Sequence, residues 1–141
     1  MKNRFRIITV IVMSMALLSA ACSKGGSAGE EKVIKSTKAG NLTVTLSNSS
    51  GELKSGENEL FISFTDSSGK LVDVGAASLN FHMAAMGTMA EMNDKATLTT
   101  TETLGKYHAK VDIEMGYTWE AVIVYEGSQG KGQAVMTVNV K

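Results

Sequence analysis

A run of regularly spaced methionines contains the residues of this sequence best suited to specific chemistry. They stand three positions apart, directly after a histidine: His82, Met83, Met86, Met89 and Met92. Thioether sulfur is neutral and polarisable, so it selects soft cations such as Cu(I) over zinc, magnesium or calcium. It also needs no deprotonation and cannot be lost to disulfide formation in an oxidising compartment. The segment therefore predicts a copper(I) site.

The residues between these methionines argue against a buried strand. Residues three apart in a strand point to opposite faces, and the intervening alanines, glycine and threonine are too small to form a second apolar row. We expect a loop or irregular turn at the end of a strand, in which several thioethers converge. Met115 and His108 are candidate neighbours from a facing strand, and Met115 is a further candidate ligand. His108 lies on the polar row of its strand, so a solvated position is equally compatible with the sequence. Zinc catalysis is disfavoured because no third nitrogen, thiolate or carboxylate set accompanies the histidines.

Two other interpretations of the methionines stay open at this point. Methionine fills irregular gaps in hydrophobic cores, and exposed methionines form adaptable protein-docking surfaces. Met136 is expected in the core, and Met83 continues the apolar row of Leu79 and Phe81. His82 is expected to be exposed because it lies on the opposite face from Phe81. A docking surface is thus the main alternative to a metal site.

Residues 1–21 have the three-part pattern of a secretory signal peptide. A short basic stretch precedes an apolar run over residues 7–18 and three small residues. The run is shorter than the roughly 20 residues that a membrane-spanning helix needs. Cys22 follows directly, as in a bacterial lipobox, so we expect it to carry a lipid that anchors the mature chain. Ser23 resembles the outer-membrane sorting pattern, so the expected location is the cell envelope, facing the periplasm in a diderm host.

Composition restricts the classes of protein to which this chain can belong. Loss of residues 1–21 removes three of the 14 basic residues and leaves 11 against 14 acidic ones, a net charge of −3. An acidic domain lacks the positive surface of a nucleic-acid binder. The one cysteine and two histidines belong to no catalytic motif, so we expect no enzyme. Residues 22–40 are rich in Gly, Ser, Lys and Glu, which predicts a flexible linker.

Residues 41–141 show the alternation of apolar and polar positions that is typical of β-strands. Such runs recur at intervals of about 8–12 residues between turn residues, and no helical period competes with them. The sequence predicts an all-β, immunoglobulin-like β-sandwich of about seven strands with Trp119 near its centre. The predicted strands cover residues 42–46, 60–64, 79–83, 96–101, 107–113, 119–125 and 134–140.

Three motifs together resemble those of the YtkA-like domain. They are Met83-Ala84-Ala85-Met86-Gly87-Thr88-Met89, Gly105-Lys106-Tyr107 and Met115-Gly116-Tyr117-Thr118-Trp119. With the stretch from Asn58 to Gly69, the resemblance covers about residues 53–140. It implies an extracytoplasmic immunoglobulin-like domain, related to FixH-like proteins and found alone or attached to heavy-metal efflux adaptors. It also implies copper binding through the motif's own methionines, Met83, Met86, Met89 and Met115.

The combined expectation is a lipid-anchored, extracytoplasmic copper(I)-binding protein for metal sequestration or hand-off. Its candidate ligands are Met83, Met86, Met89, Met92, Met115 and His82. The expected partners are the membrane, through the lipid on Cys22, and a metal-transport or efflux protein. The alternative is a non-metal accessory module of a cell-envelope complex that uses the Met-Ala surface for docking.

Overall fold

Apolar and polar residues alternate along most strands, so each of these strands has one buried side and one side that faces solvent. In the strand that contains Trp119, this residue and Ala121, Ile123 and Tyr125 are buried, whereas the residues between them are exposed or half-buried. Successive side chains of a strand point to opposite faces, so each such strand presents its apolar row to one side. Two sheets pack these rows face to face and enclose the core.

The computed structural model describes residues 29–141, so the predicted signal peptide and Cys22 lie outside the described residues. The described chain forms nine strands, and it contains no helix with the length and apolar character needed to cross a membrane. The strands are β1 (Lys32–Ala39), β2 (Leu42–Asn48), β3 (Gly56–Thr65), β4 (Ala76–Met83), β5 (Met92–Lys95), β6 (Thr97–Thr100), β7 (Lys106–Ile113), β8 (Thr118–Gly127) and β9 (Gly130–Asn139).

The strands form two antiparallel sheets, and the predicted all-β sandwich is confirmed. The five-stranded sheet has the order β1-β2-β3-β7-β6, and the four-stranded sheet has the order β5-β4-β8-β9. The chain passes from one sheet to the other at Ala96, the residue between β5 and β6. The Ala96 amide donates to the Leu79 carbonyl at 3.0 Å, which holds this crossing against β4.

The first strand lies in the segment predicted to be a flexible linker. That prediction, made for residues 22–40, is wrong for residues 32–39, which pair with β2 along its whole length. The reason is that β1 is an edge strand that is mostly exposed, so its sequence lacks a full apolar row. Lys32, Lys35 and Lys38 are typical of edge strands, where charge discourages pairing with other chains. The folded domain therefore begins before residue 41.

The short strand β5 accounts for the other difference from the seven predicted strands. β5 contains Met92, Asn93, Asp94 and Lys95 and pairs with the end of β4. Its single large apolar residue gives no visible alternation, so the sequence alone did not indicate a strand. The predicted strand over residues 96–101 corresponds to β6, which begins at Thr97. The methionine segment is consequently the connection between two paired strands, β4 and β5.

The antiparallel register brings several connections to one end of the sandwich, which we call the methionine end. His82 pairs with Glu120, so the connection after β4 leaves beside the connection that precedes β8. Thr118 pairs with Asn139, which brings the end of β9 to the same place. The methionine end therefore consists of residues 84–91, residues 114–117 and the last residues of the chain.

Candidate methionine site

Two of the candidate methionines face each other across a tight turn. Met86 and Met89 exchange both backbone hydrogen bonds, with N···O distances of 3.0 and 2.8 Å. Gly87 occupies the first central position of this two-residue turn with a φ of 57°, a conformation that hairpin turns need and that favours glycine. Directly paired residues of an antiparallel ladder lie on the same side, with Cβ atoms about 5 Å apart. The backbone pairing therefore places Met86 and Met89 on the same side of the turn.

Both side chains of this turn are open to solvent. Met86 is 38% exposed and Met89 is 37% exposed, and every residue from Ala84 to Ala90 is exposed. The sequence predicted a loop or irregular turn after the strand, and Met86 and Met89 lie in such a turn. We call Met86 and Met89 the methionine pair.

Two further methionines lie on the inner side of the four-stranded sheet. Met83 is 3% exposed and belongs to the core, where it continues the buried row of Leu79 and Phe81. Met92 is its cross-strand partner in β5 and is half-buried against the same core. The side chain of Met83 therefore fills the interior, which is the packing alternative that the sequence had left open for it.

His82 lies on the opposite face of the sheet from Met83. Its Nε2 atom is 3.4 Å from Oε1 of Glu91, and its Nδ1 atom is 3.6 Å from Oε2 of Glu120. The Asn93 side-chain amide also donates to Glu91, at 3.0 Å. His82 is half-buried rather than fully exposed, and both of its nitrogens already face carboxylates. We call residues 84–91, which join β4 to β5, the methionine connection. The contacts of His82 attach Glu91, the last residue of this connection, to the outer face of β4 and β8.

Met115 lies between β7 and β8 at the same end of the sandwich. Its side chain is half-buried against the core, and its carbonyl accepts a hydrogen bond from Nε1 of Trp119 at 3.0 Å. The neighbouring Glu114 amide donates to a carboxylate oxygen of Asp94 in β5, at 3.0 Å. The Met115 loop is thus attached to the strand that follows the methionine connection.

Of the two positions left open for His108, the structure shows the one on the polar face, away from the methionines. His108 lies on the outer face of the five-stranded sheet, because its neighbours Tyr107 and Ala109 are the residues that point into the core. Its ring packs against Phe61 with a centroid distance of 5.3 Å. Its Nε2 atom is 3.8 Å from Glu59, whose pKa is held below its ordinary value chiefly by the hydrogen bond from Lys110.

The Gly-x-Tyr motif supports the fold. A Cβ atom on Gly105 would lie 2.5 Å from the carbonyl oxygen of Val72, so only glycine permits this approach. The Tyr107 hydroxyl donates to the Gly75 carbonyl at 2.6 Å, and its burial, with the nearby Asp73 carboxylate, raises the pKa of Tyr107. This motif closes the end of the sandwich opposite the methionines.

The Met-Gly-x-x-Trp motif also supports the fold. Trp119 is fully buried, and its indole N–H is satisfied by the Met115 carbonyl. A Cβ atom on Gly116 would lie 3.0 Å from the backbone of Lys141, so glycine lets the last residue of the chain pass close by. Two of the three motifs thus make packing contacts that support the fold. The third, the methionine motif, carries the exposed thioether side chains of Met86 and Met89.

Within residues 29–141, no group of three or more His, Cys, Asp or Glu side chains is arranged to hold a metal ion. A site built from Met86 and Met89 would use thioether sulfur. Such a site would be neutral and soft, which is unsuitable for zinc, magnesium or calcium and suitable for Cu(I).

Comparison with known families agrees with the motifs. A family model described as YtkA-like matches residues 36–124. The chain belongs to the YtkA-like family. The match runs from within β1 to within β8 and includes the whole methionine connection. Membership of the YtkA-like family suggests an accessory domain that acts outside the cytoplasm. No curated protein and no solved structure gives a significant match.

Proposed function

We propose that this YtkA-like domain binds copper(I) outside the cytoplasm through the methionine pair and transfers it to a partner protein. A lipid on Cys22 would anchor it in the cell envelope. The observation that carries the proposal is the turn in which Met86 and Met89 are paired on one side and exposed. Family membership supports the accessory role.

The burial of the six candidates argues for a smaller ligand set than the sequence suggested. The methionine pair can reach a metal from solvent without any change in the fold. Met92 and Met115 are half-buried at the same end and are the available additional thioethers. Met83 would have to leave the core, and His82 would have to leave the carboxylates of Glu91 and Glu120. Two primary ligands on an exposed turn favour exchange over long-term storage.

A competition titration tests this proposal. The purified protein is titrated with Cu(I) under anaerobic, reducing conditions against a chromophoric chelator, and the M86L/M89L variant is compared with the native chain. Leucine preserves the apolar character and approximate volume of methionine but removes the sulfur, so the fold is retained. We expect the variant to bind Cu(I) at least tenfold more weakly, a change of about 1.4 kcal/mol.

The matched control is M136L, which removes one sulfur from a core position in β9. Met136 is buried, so this variant should keep the native affinity and report any general effect of the substitution. Unchanged Cu(I) binding by M86L/M89L would reject the methionine pair as the site. If the native chain bound no Cu(I) but a partner protein bound both forms equally, the domain would instead be a docking module without a metal.

A further inference from the structure

The fold exposes the methionines of the domain to very different degrees. Three of the nine methionines fall within residues 1–21, and the other six lie in the described part of the chain. Met83 and Met136 are each 3% exposed and belong to the core. Met92 and Met115 are half-buried against that core. The methionine pair is the most open, with exposed fractions of 38% and 37%.

Small side chains leave the methionine pair uncovered. The turn between its two members contains Gly87 and Thr88, and Ala84, Ala85 and Ala90 flank it. These side chains are too short to lie over a neighbouring thioether. Every residue from 84 to 90 is exposed, so water and small solutes reach the pair directly.

This difference in exposure decides which methionines a peroxide can oxidise. A sulfur lone pair attacks one oxygen of hydrogen peroxide, the O–O bond breaks and a sulfur–oxygen bond forms. The proton on the transferred oxygen passes to the departing hydroxide, which leaves as water. Sulfur loses two electrons and the peroxide gains them. Because the oxidant must touch the sulfur, a core methionine reacts only when the surrounding structure opens.

We propose that the methionine pair is an oxidation site, at which peroxide converts both thioethers to sulfoxides and so weakens copper(I) binding while the domain stays folded. The assignment of the site rests on exposure, whereas its effect on copper depends on the function proposed above. A sulfoxide presents a hard oxygen and an electron-poor sulfur in place of the soft thioether that Cu(I) selects. Release of copper would therefore respond to peroxide in the surroundings of the domain.

The fold does not depend on the two side chains of the pair. The turn is held by the backbone hydrogen bonds between Met86 and Met89, at 3.0 and 2.8 Å, and by the positive φ of Gly87. An oxygen added to either exposed side chain stays in water. A sulfoxide on Met83 would instead place a polar group in the buried row of Leu79 and Phe81, at a cost in stability. Oxidation of the pair is thus separable from unfolding.

Timed exposure of the purified, copper-free protein to hydrogen peroxide tests the site. Catalase stops each reaction, and mass spectrometry measures the sulfoxide at each methionine. Fragment ions are needed, because four of the six methionines share the tryptic peptide of residues 71–95. The pair should oxidise about tenfold or more faster than Met83 and Met136, because the core positions react only through opening. M83L/M136L should keep the fast phase, and M86L/M89L should lose it.

Protein oxidised only at the pair then enters the Cu(I) titration described above. It should bind Cu(I) about tenfold or more weakly than the reduced chain, a loss like that expected for M86L/M89L. Its midpoint in urea should equal that of the reduced chain. The two methionine sulfoxide reductases, one for each sulfoxide epimer, should restore native affinity when supplied with a thiol reductant. M86L/M89L carried through the same treatments is the control and should not change.

Three results would overturn the proposal. Similar oxidation rates at all six methionines would mean that the pair is not a selective site. Native Cu(I) affinity after oxidation of the pair would mean that the sulfoxides do not affect the metal. A fall in the urea midpoint together with the loss of Cu(I) would mean that oxidation acts by unfolding the domain. By contrast, fast oxidation of the pair in a native chain that binds no Cu(I) would support the oxidation site and reject the copper proposal.

Discussion

Alanine substitution of two methionines only three positions apart should have very different effects on stability. Met83 is 3% exposed in the core, whereas Met86 is in the open turn. Replacing a buried methionine with alanine costs about 2–5 kcal/mol, because contacts are lost and a cavity remains. Met83 ends its strand beside the half-buried Met92, so partial collapse should keep the cost near 3 kcal/mol. The Met86 substitution should cost about 1 kcal/mol or less.

Urea denaturation measures this difference in the free energy of unfolding directly. The dependence of that free energy on urea concentration, the slope m, should be the same for all variants if their folded and unfolded states stay equally compact. In thermal unfolding, a loss of about 3 kcal/mol should lower the melting temperature of a domain of this size by roughly 12 °C. M136A is the matched control for a core methionine and should resemble M83A, because Met136 is equally buried. In the Cu(I) titration, M86A should bind more weakly, and M83A should bind normally at temperatures where it is folded.

If M83A and M86A lose similar amounts of stability, Met83 is not buried in the core while Met86 lies exposed in the turn. If M83A keeps its stability but loses Cu(I), Met83 is a ligand rather than a packing residue, and the assignment of the methionine pair as the primary site fails.

Two further substitutions test other contacts of the fold. G127A should destabilise the domain by at least about 2 kcal/mol in thermal unfolding, because the added Cβ would lie 2.1 Å from the backbone oxygen of Val74. The control is G29A, whose added Cβ would meet no atom within 4 Å. Equal melting temperatures for the two variants would contradict the close contact at Gly127. S68A should raise the pKa of Asp66, since the Ser68 hydroxyl chiefly holds this pKa below its ordinary value. Asp66 therefore stabilises the fold above its unfolded pKa of about 3.9, and this contribution disappears as pH falls through the lower folded pKa. An NMR titration of the Asp66 carboxyl that is unaltered in S68A would contradict this cause.

Strands with a complete apolar row were predictable from the sequence, and those without one were not. β8 and β9 alternate clearly, so their burial follows from period two alone. β1 and β5 are edge strands of their sheets, and each buries little of its own surface. Their structure comes from pairing with the neighbouring strands β2 and β4, and this pairing leaves no periodic signal in the edge strand itself.

The candidate site was predictable only in part, for a similar reason. The sequence indicated that the methionines leave the end of a strand in a turn. Which methionines share a side depended on the bridge between Met86 and Met89 and on the positive φ of Gly87. The contacts of His82 with Glu91 and Glu120 depended on register, because they join residues from three parts of the chain.

The β class, the family motifs and the soft character of the methionine donors could be read from the sequence alone. These are properties of residue type and of local spacing, which need no knowledge of distant contacts. The three-dimensional arrangement was needed to show that Met83 packs inside while Met86 and Met89 face solvent. The physical reason is that burial and orientation are set by which strands pair and in what register. Residues with the same chemistry, three positions apart, therefore acquire different surroundings.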